Sequence, residues 1–179
     1  PPPTVTMELS DRHLSVAGSA PGRWLEEAMR LVLLVPGIDN ADFKAVMDES
    51  LLSELQQVYL LFAVDSATLL PGQDVELAKV VAIIERLAKM SRLSGRPLQI
   101  DIIGHSDNSG RHERNLALSA VRAETVRGLL VDLGATLPLS VDGIGASRPP
   151  DPAAYDNRFN LSVSFAARIT ASTSAGELN

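Results

Sequence analysis

The sequence predicts an α+β fold in which two long helices cover one mixed sheet, with a smaller α+β module ahead of it. Three observations carry this. From residue 58 the periodicity runs strand, helix, strand, helix, strand, strand; a shorter strand, strand, helix, strand unit precedes it; and no internal repeat is present. The 179 residues are 45% apolar and 21% charged, which supplies a core and is too hydrophobic for a chain that stays unfolded. At this length two compact units fit and three do not.

The elements follow in order. Thr4 to Leu9 and Leu14 to Ala17 alternate in polarity around the turn Ser10-Asp11-Arg12-His13, which makes a hairpin. Trp24, Ala28, Leu31 and Val35 recur at helical spacing until Pro36-Gly37 stops them, and Asp42 to Met47 is a further strand. Residues 1–47 form this first module, and 48–57 form a connector without punctuation that fixes neither helix nor loop. Val58 to Phe62 is rich in β-formers, and Pro71 is expected to open a helix whose face carries Leu77, Val81, Ile84 and Ala88. Gly95 and Pro97 end it. Leu98 to Gly104 is a strand, His112 to Leu133 a second long helix stopped by Gly134, and Leu139 to Ile144 and Asn160 to Ile169 the last strands, flanking a Pro-rich loop at 148–152. The second domain is therefore 58–169, and 170–179 reads as a frayed tail.

Composition excludes several classes of function. Sixteen basic against 22 acidic residues leave a net charge of -6, so no general attraction to a phosphate backbone exists and nucleic acid is not an expected partner. The chain has no cysteine, which removes disulfides, thiolate metal sites and a cysteine nucleophile, and leaves the redox compartment open. The longest apolar run, Leu31 to Val35, is far short of the roughly 20 residues of a membrane helix. The chain opens Pro1-Pro2-Pro3 with no signal-type segment, so it reads as a mature or trimmed piece whose anchor or export signal lies upstream.

The informative segment is Gly104 to Gly110 and the helix after it. At 100° per residue, Leu118, Val126, Leu129 and Leu133 fall within an arc of about 80°, and Arg122 falls inside that arc. Asn115 lies within about 20° of Arg122, with Ser119 between them at i+4 and i+3 spacing. An inward guanidinium is costly unless a carboxylate or carbonyl meets it, so the pattern calls for an acidic partner, a ligand, or both. Asp107, at the junction of strand and helix, is the nearest acid, and that junction also offers free backbone N–H groups. An Asp and an Arg facing one cavity suit a zwitterion, the Arg taking a carboxylate and the Asp an ammonium. Pairing of Asp107 and Arg122 with each other, or with backbone carbonyls that hold the loop to the helix, satisfies the same pattern, and side-chain chemistry alone does not choose.

Catalysis finds no support. His105, Ser106 and Asp107 contain triad residue types, but neighbours on an extended chain face alternate sides and cannot relay a proton. His105, Asp107 and His112 lack the flanking ligand pattern of a zinc site, and Gly104 and Gly110 make neither a dinucleotide fingerprint nor a phosphate loop. No metal, cofactor or enzymatic activity is expected.

Phe62 to Leu69, Gly104 to Gly110, Asn115-Leu116-Ala117-Leu118-Ser119-Ala120-Val121-Arg122-Ala123, Gly143-Ile144-Gly145 with Pro149, and Asn157-Arg158 together resemble the C-terminal peptidoglycan-binding domain of the OmpA family. The resemblance covers about 58 to 168, in order, with fifteen residues from Asp107 to Arg122. It implies noncatalytic binding of the cell-wall stem peptide, with Asp107 and Arg122 holding the zwitterionic end of meso-diaminopimelate. It further implies that His105, Asn115 and Arg158 line the groove and that Ser106, Leu118, Ser119 and Asn157 support it. Two residues depart from the family's pattern: Ser106 stands for the usual threonine, and Phe159 for the arginine that commonly follows Asn-Arg. Residues 1–47 resemble a BON module less closely, through the strand pair, Gly18, the helix and Val35-Pro36-Gly37-Ile38. The expected setting is the periplasm of a Gram-negative envelope, tethered to a membrane from outside this chain. The alternative is a structural or assembly domain that binds a protein partner.

Overall fold

The computed structural model of the chain describes residues 1–148, 150 and 160–170, without the side chains of 44–47. Asp11 and Arg12 both take positive φ, 48° and 66°, and so close a tight two-residue turn between β1 (Val5–Ser10) and β2 (His13–Ser19). The helix α1 (Gly22–Leu31) tightens into a 3-10 turn at Val32–Leu34 before Pro36, and β3 (Asn40–Met47) then returns parallel to β2. The first sheet has the order β1-β2-β3.

The segment whose state the sequence leaves undecided contains the helix α2 (Glu49–Gln56). Asp48 explains it: Oδ1 accepts from the N–H groups of Ser50 and Leu51 at 3.1 and 3.3 Å, filling donors that a helix start leaves unpaired. Its Oδ2 accepts from Gly22 N at 2.6 Å, so one buried carboxylate ties the starts of α1 and α2 together. Leu51 and Leu55 of α2 are fully buried.

The expected strand at 58–62 is reduced to β4 (Leu60–Leu61), because Val58 N is spent on the Leu55 carbonyl in the turn that ends α2. Pro71 does not open the next helix: Gly72 takes φ 85°, which no helix can contain, and α3 runs Asp74–Ser94. After β5 (Leu98–Gly104), α4 (His112–Asp132), β6 (Leu139–Gly143) and β7 (Ser162–Ile169), the second sheet has the order β4-β7-β5-β6. It is mixed, with β5 parallel to β6 and antiparallel to β7. On β5 the side chains alternate, Leu98, Ile100 and Ile102 facing the helices.

The buried stripe of α4 runs Asn115, Ser119, Arg122, Ala123, Val126, Leu130. Arg122 lies in it as expected, whereas Leu118 and Leu129 are half-buried and Leu133 is 52% exposed. The stripe is turned toward small residues because the helix lies almost in contact with the sheet. A Cβ on Gly104 would stand 1.9 Å from the Ser119 carbonyl oxygen, and one on Gly143 2.4 Å from Ala120 N. α3 packs against β5 and also against β3, and a single apolar cluster runs from Val5 and Leu25 through Leu55 and Ile84 to Phe165. Lys89 to Glu26 at 2.6 Å and Arg86 to Glu54 at 3.7 Å join α3 to α1 and α2 at the surface. Among the described residues no helix is long and apolar enough to cross a membrane.

Candidate functional site

β5 delivers His105, Ser106 and Asp107 to the start of α4. Ser106 N donates to the Gly145 carbonyl at 3.0 Å, and Ser119 Oγ accepts from Gly145 N at 3.0 Å while donating to the Leu116 carbonyl at 2.8 Å. Two strand-end loops are thereby fastened to one turn of α4. Asn115 closes the third side, its amide donating to the carbonyls of Asp107 at 3.0 Å and Ser109 at 2.8 Å. These three residues, Ser106, Asn115 and Ser119, are buried and hold the frame of the site.

Arg122 has no solvent exposure. Its Nε donates to the Ser66 carbonyl at 2.9 Å, one Nη to the His105 carbonyl at 3.1 Å and the other to the Ala63 carbonyl at 3.2 Å, with its guanidinium carbon 5.5 Å from the Phe62 ring centre. Carbonyl acceptors and a ring face make a buried guanidinium tolerable. Burial lowers its pKa, and the charges of Asp107 and Asp65 oppose that shift. Among the described residues Asp107 and Arg122 make no ion pair; they interact through space, around a frame of backbone carbonyls.

Asp107 is half-exposed, and its Oδ1 accepts from Ser109 N at 3.1 Å and Ser109 Oγ at 2.6 Å. Its side chain stands at the open end of the site. His105 is turned away: the ring is buried, with Nδ1 3.0 Å from the Arg148 carbonyl and Nε2 2.7 Å from Ser164 Oγ. A carbonyl only accepts, so Nδ1 carries the proton and Nε2 accepts from Ser164. Desolvation lowers the His105 pKa from 6.5, partly countered by the bond to Arg148. Leu118 is half-buried on α4. Asn157, Arg158 and Phe159, with Pro149, lie outside the described residues.

The model of the family described as the OmpA family matches residues 61–160. The chain belongs to the OmpA family. Among solved structures, this OmpA-family chain is similar to the peptidoglycan-associated lipoprotein from Burkholderia pseudomallei, at 23% identity and a TM-score of 0.51, over 63% of this chain and 91% of that one. It is also similar to a MotB-like protein from Desulfovibrio vulgaris, at 26% identity and a TM-score of 0.48, over 62% and 71%. The OmpA-like domain of FopA1 from Francisella tularensis is 19% identical at a TM-score of 0.45, over 63% and 74%. No curated protein matches the sequence.

Within the OmpA-family domain the structure also places groups that the sequence reading did not single out. The loop from Ala63 to Thr68 is gripped twice from α4, by Arg122 through its carbonyls and by Arg114, whose Nη2 lies 3.1 Å from Asp65 Oδ1. Backbone carbonyls have no signature in sequence. Asp65 and Arg114 do stand beside the matched residues Ser66 and Asn115, but their mutual distance is a property of the fold alone. Among the described residues no three His, Cys, Asp or Glu side chains are grouped so as to hold a metal ion.

Proposed function

We propose that this chain binds peptidoglycan noncovalently, through the meso-diaminopimelate of its stem peptide, and anchors an envelope protein to the cell wall from the periplasm. The observation that carries the reading is the position of Asp107: a half-exposed carboxylate at the start of α4, near enough to the buried Arg122 to feel its positive charge. An ammonium is favoured beside Asp107 and a carboxylate on the side of Arg122, a polarity that matches the zwitterionic end of diaminopimelate. Membership of the OmpA family supports it, as does similarity to a protein named for its association with peptidoglycan. Binding needs no bond made or broken, and the chain acts as a ligand-holding domain without catalysis. Asn115 and Ser106 preserve the loop that presents Asp107. Residues 1–47, with the strand, strand, helix, strand order, are the proposed BON-like module.

One observation favours a second reading, an assembly domain that holds a protein partner. Three N–H groups of Arg122 are already donated to backbone carbonyls, so the arginine would serve the fold whether or not a ligand binds. Co-sedimentation with insoluble diaminopimelate-type peptidoglycan separates the two. The wild-type chain should pellet with the wall and Asp107→Asn should remain in the supernatant; a wild-type chain that itself stays in the supernatant would leave the assembly reading.

A further inference from the structure

We propose that the groove between α3 and the C-terminal end of α4 docks an amphipathic helix of a partner protein, one that carries two basic residues about three turns apart. The groove is a cavity of about 390 Å³ lined by Leu77, Ala78, Val81 and Ala82 of α3 and by Leu133 at the end of α4. Helical spacing puts Ala78, Val81 and Ala82 on a second stripe of α3, about a third of a turn round from the stripe of Val80, Ile84 and Leu87 that faces the core. Ala78 and Ala82 are exposed and Val81 is half-buried, so this second stripe is apolar surface that the core does not use. Leu133, which spacing placed on the inward face of α4, is left 52% exposed beside it, and Val75, one turn before Ala78, is 68% exposed.

Charge identifies the occupant. Asp74 and Glu85 are the first and last residues of α3 in the same lining, three turns and about 16 Å apart along the helix axis. Among the described residues neither carboxylate has an ion-pair or hydrogen-bond partner. The helix dipole accounts for Asp74 in the first turn of α3, but not for Glu85 in its middle. The natural helical partner of Glu85 is Lys89 at i+4, and Lys89 is bound instead to Glu26 of α1 at 2.6 Å. The groove is therefore apolar along its length and negative at both ends. Anionic bilayers and nucleic acid are repelled by such a surface. An added strand needs a row of open backbone groups, which a helix face does not offer. A helix laid along α3, with its apolar face in the groove and a Lys or Arg over each acid, satisfies both the shape and the charge. The 21 residues of α4 put about 30 Å between its start, next to Asp107, and Leu133, so a helix docked here does not compete with a ligand at Asp107.

The test is fluorescence anisotropy of two labelled synthetic helices with one apolar stripe in common, flanked three turns apart by lysines in the first and by glutamates in the second, titrated with the whole chain at about 0.15 M salt. The wild-type chain should bind the lysine helix about tenfold more tightly than the glutamate helix, the scale of two exposed charge pairs. The double change Asp74→Lys and Glu85→Lys should reverse that preference. Ala78→Gln with Ala82→Gln, two exposed changes to a good helix former that fill the groove, should weaken the lysine helix by about tenfold and leave the melting temperature unaltered. Equal binding of the two helices by the wild type, or no binding of either, overturns the proposal, as does a glutamine variant that binds like the wild type. Sedimentation velocity of the chain alone completes the test: a dimer that the glutamine changes abolish would put a second copy in the groove and overturn the partner helix. None of these measurements involves the cell wall, so their failure leaves the peptidoglycan reading untouched.

Discussion

The carbonyl oxygen of Ser119 lies so near Gly104 that a Cβ on the glycine would be 1.9 Å from it. Helix and strand backbones approach there more closely than any side chain allows, and the depth of the whole site depends on that approach. Gly104→Ala must push α4 off β5, breaking the contact of Ser119 Oγ with Gly145 N in the process. A loss of roughly 3 kcal/mol or more in thermal unfolding is expected. A Gly104→Ala protein that melts like the wild type would show that α4 sits farther from the strand.

Asp107 and Arg122 should separate binding from stability. Asp107→Asn keeps an oxygen for Ser109 and removes only the charge, so its stability should lie within about 0.5 kcal/mol of wild type while wall binding is lost. Arg122→Ala removes three bonds to backbone carbonyls and opens a cavity beside Phe62, and should cost roughly 3 kcal/mol or more. Urea unfolding of both, beside the co-sedimentation assay, checks the pair. Unchanged stability of Arg122→Ala would mean that its bonds to the loop contribute nothing.

His105 makes the domain acid-sensitive. Its folded pKa is depressed below 6.5, so the unfolded chain binds the proton more readily, and the His105 contribution to stability is present above about pH 6.5 and lost as pH falls below it. A pH series of unfolding free energies for wild type and His105→Gln should show a steeper acid decline in the wild type below about pH 6.5. Parallel curves would place the titration elsewhere.

Leu55, fully buried in α2, is expected to cost about 2–5 kcal/mol when cut to Ala, and the loss should appear in a single unfolding transition because it lies in an apolar cluster that includes residues of both sheets. Two resolved transitions in circular dichroism would contradict the shared core.

Most of the second domain was legible in the sequence. β5 and α4 match their predicted spans closely because alternation, helical period and a terminal glycine all agree there, and the inward position of Arg122 followed from spacing alone. What the sequence did not yield depends on backbone. The start of α3 was read from Pro71, yet the φ of Gly72 decides it; the tilt of α4 depends on two glycines at its interface; α2 depends on an aspartate whose capping role needs the chain to fold back on Gly22. The acceptors on Arg122 were unreadable for the same reason. Carbonyls stood beside a carboxylate among the partners that spacing allows a buried guanidinium, but that two of them come from a loop more than fifty positions away is a property of the fold.

Asp48 bonds to Gly22 and caps α2, and α2 sends Leu51 and Leu55 beneath the strands of the second sheet. The segment between the two sheets is thus no spacer, and the halves of the molecule are not interchangeable parts. A graft of another OmpA-family domain after residue 57 would inherit two leucines shaped for a seat it lacks. Lengthening the same segment would pull the cap away from the glycine it serves. A change at the Asp48–Gly22 contact is therefore a change to the seat of the second sheet as well as to the first module.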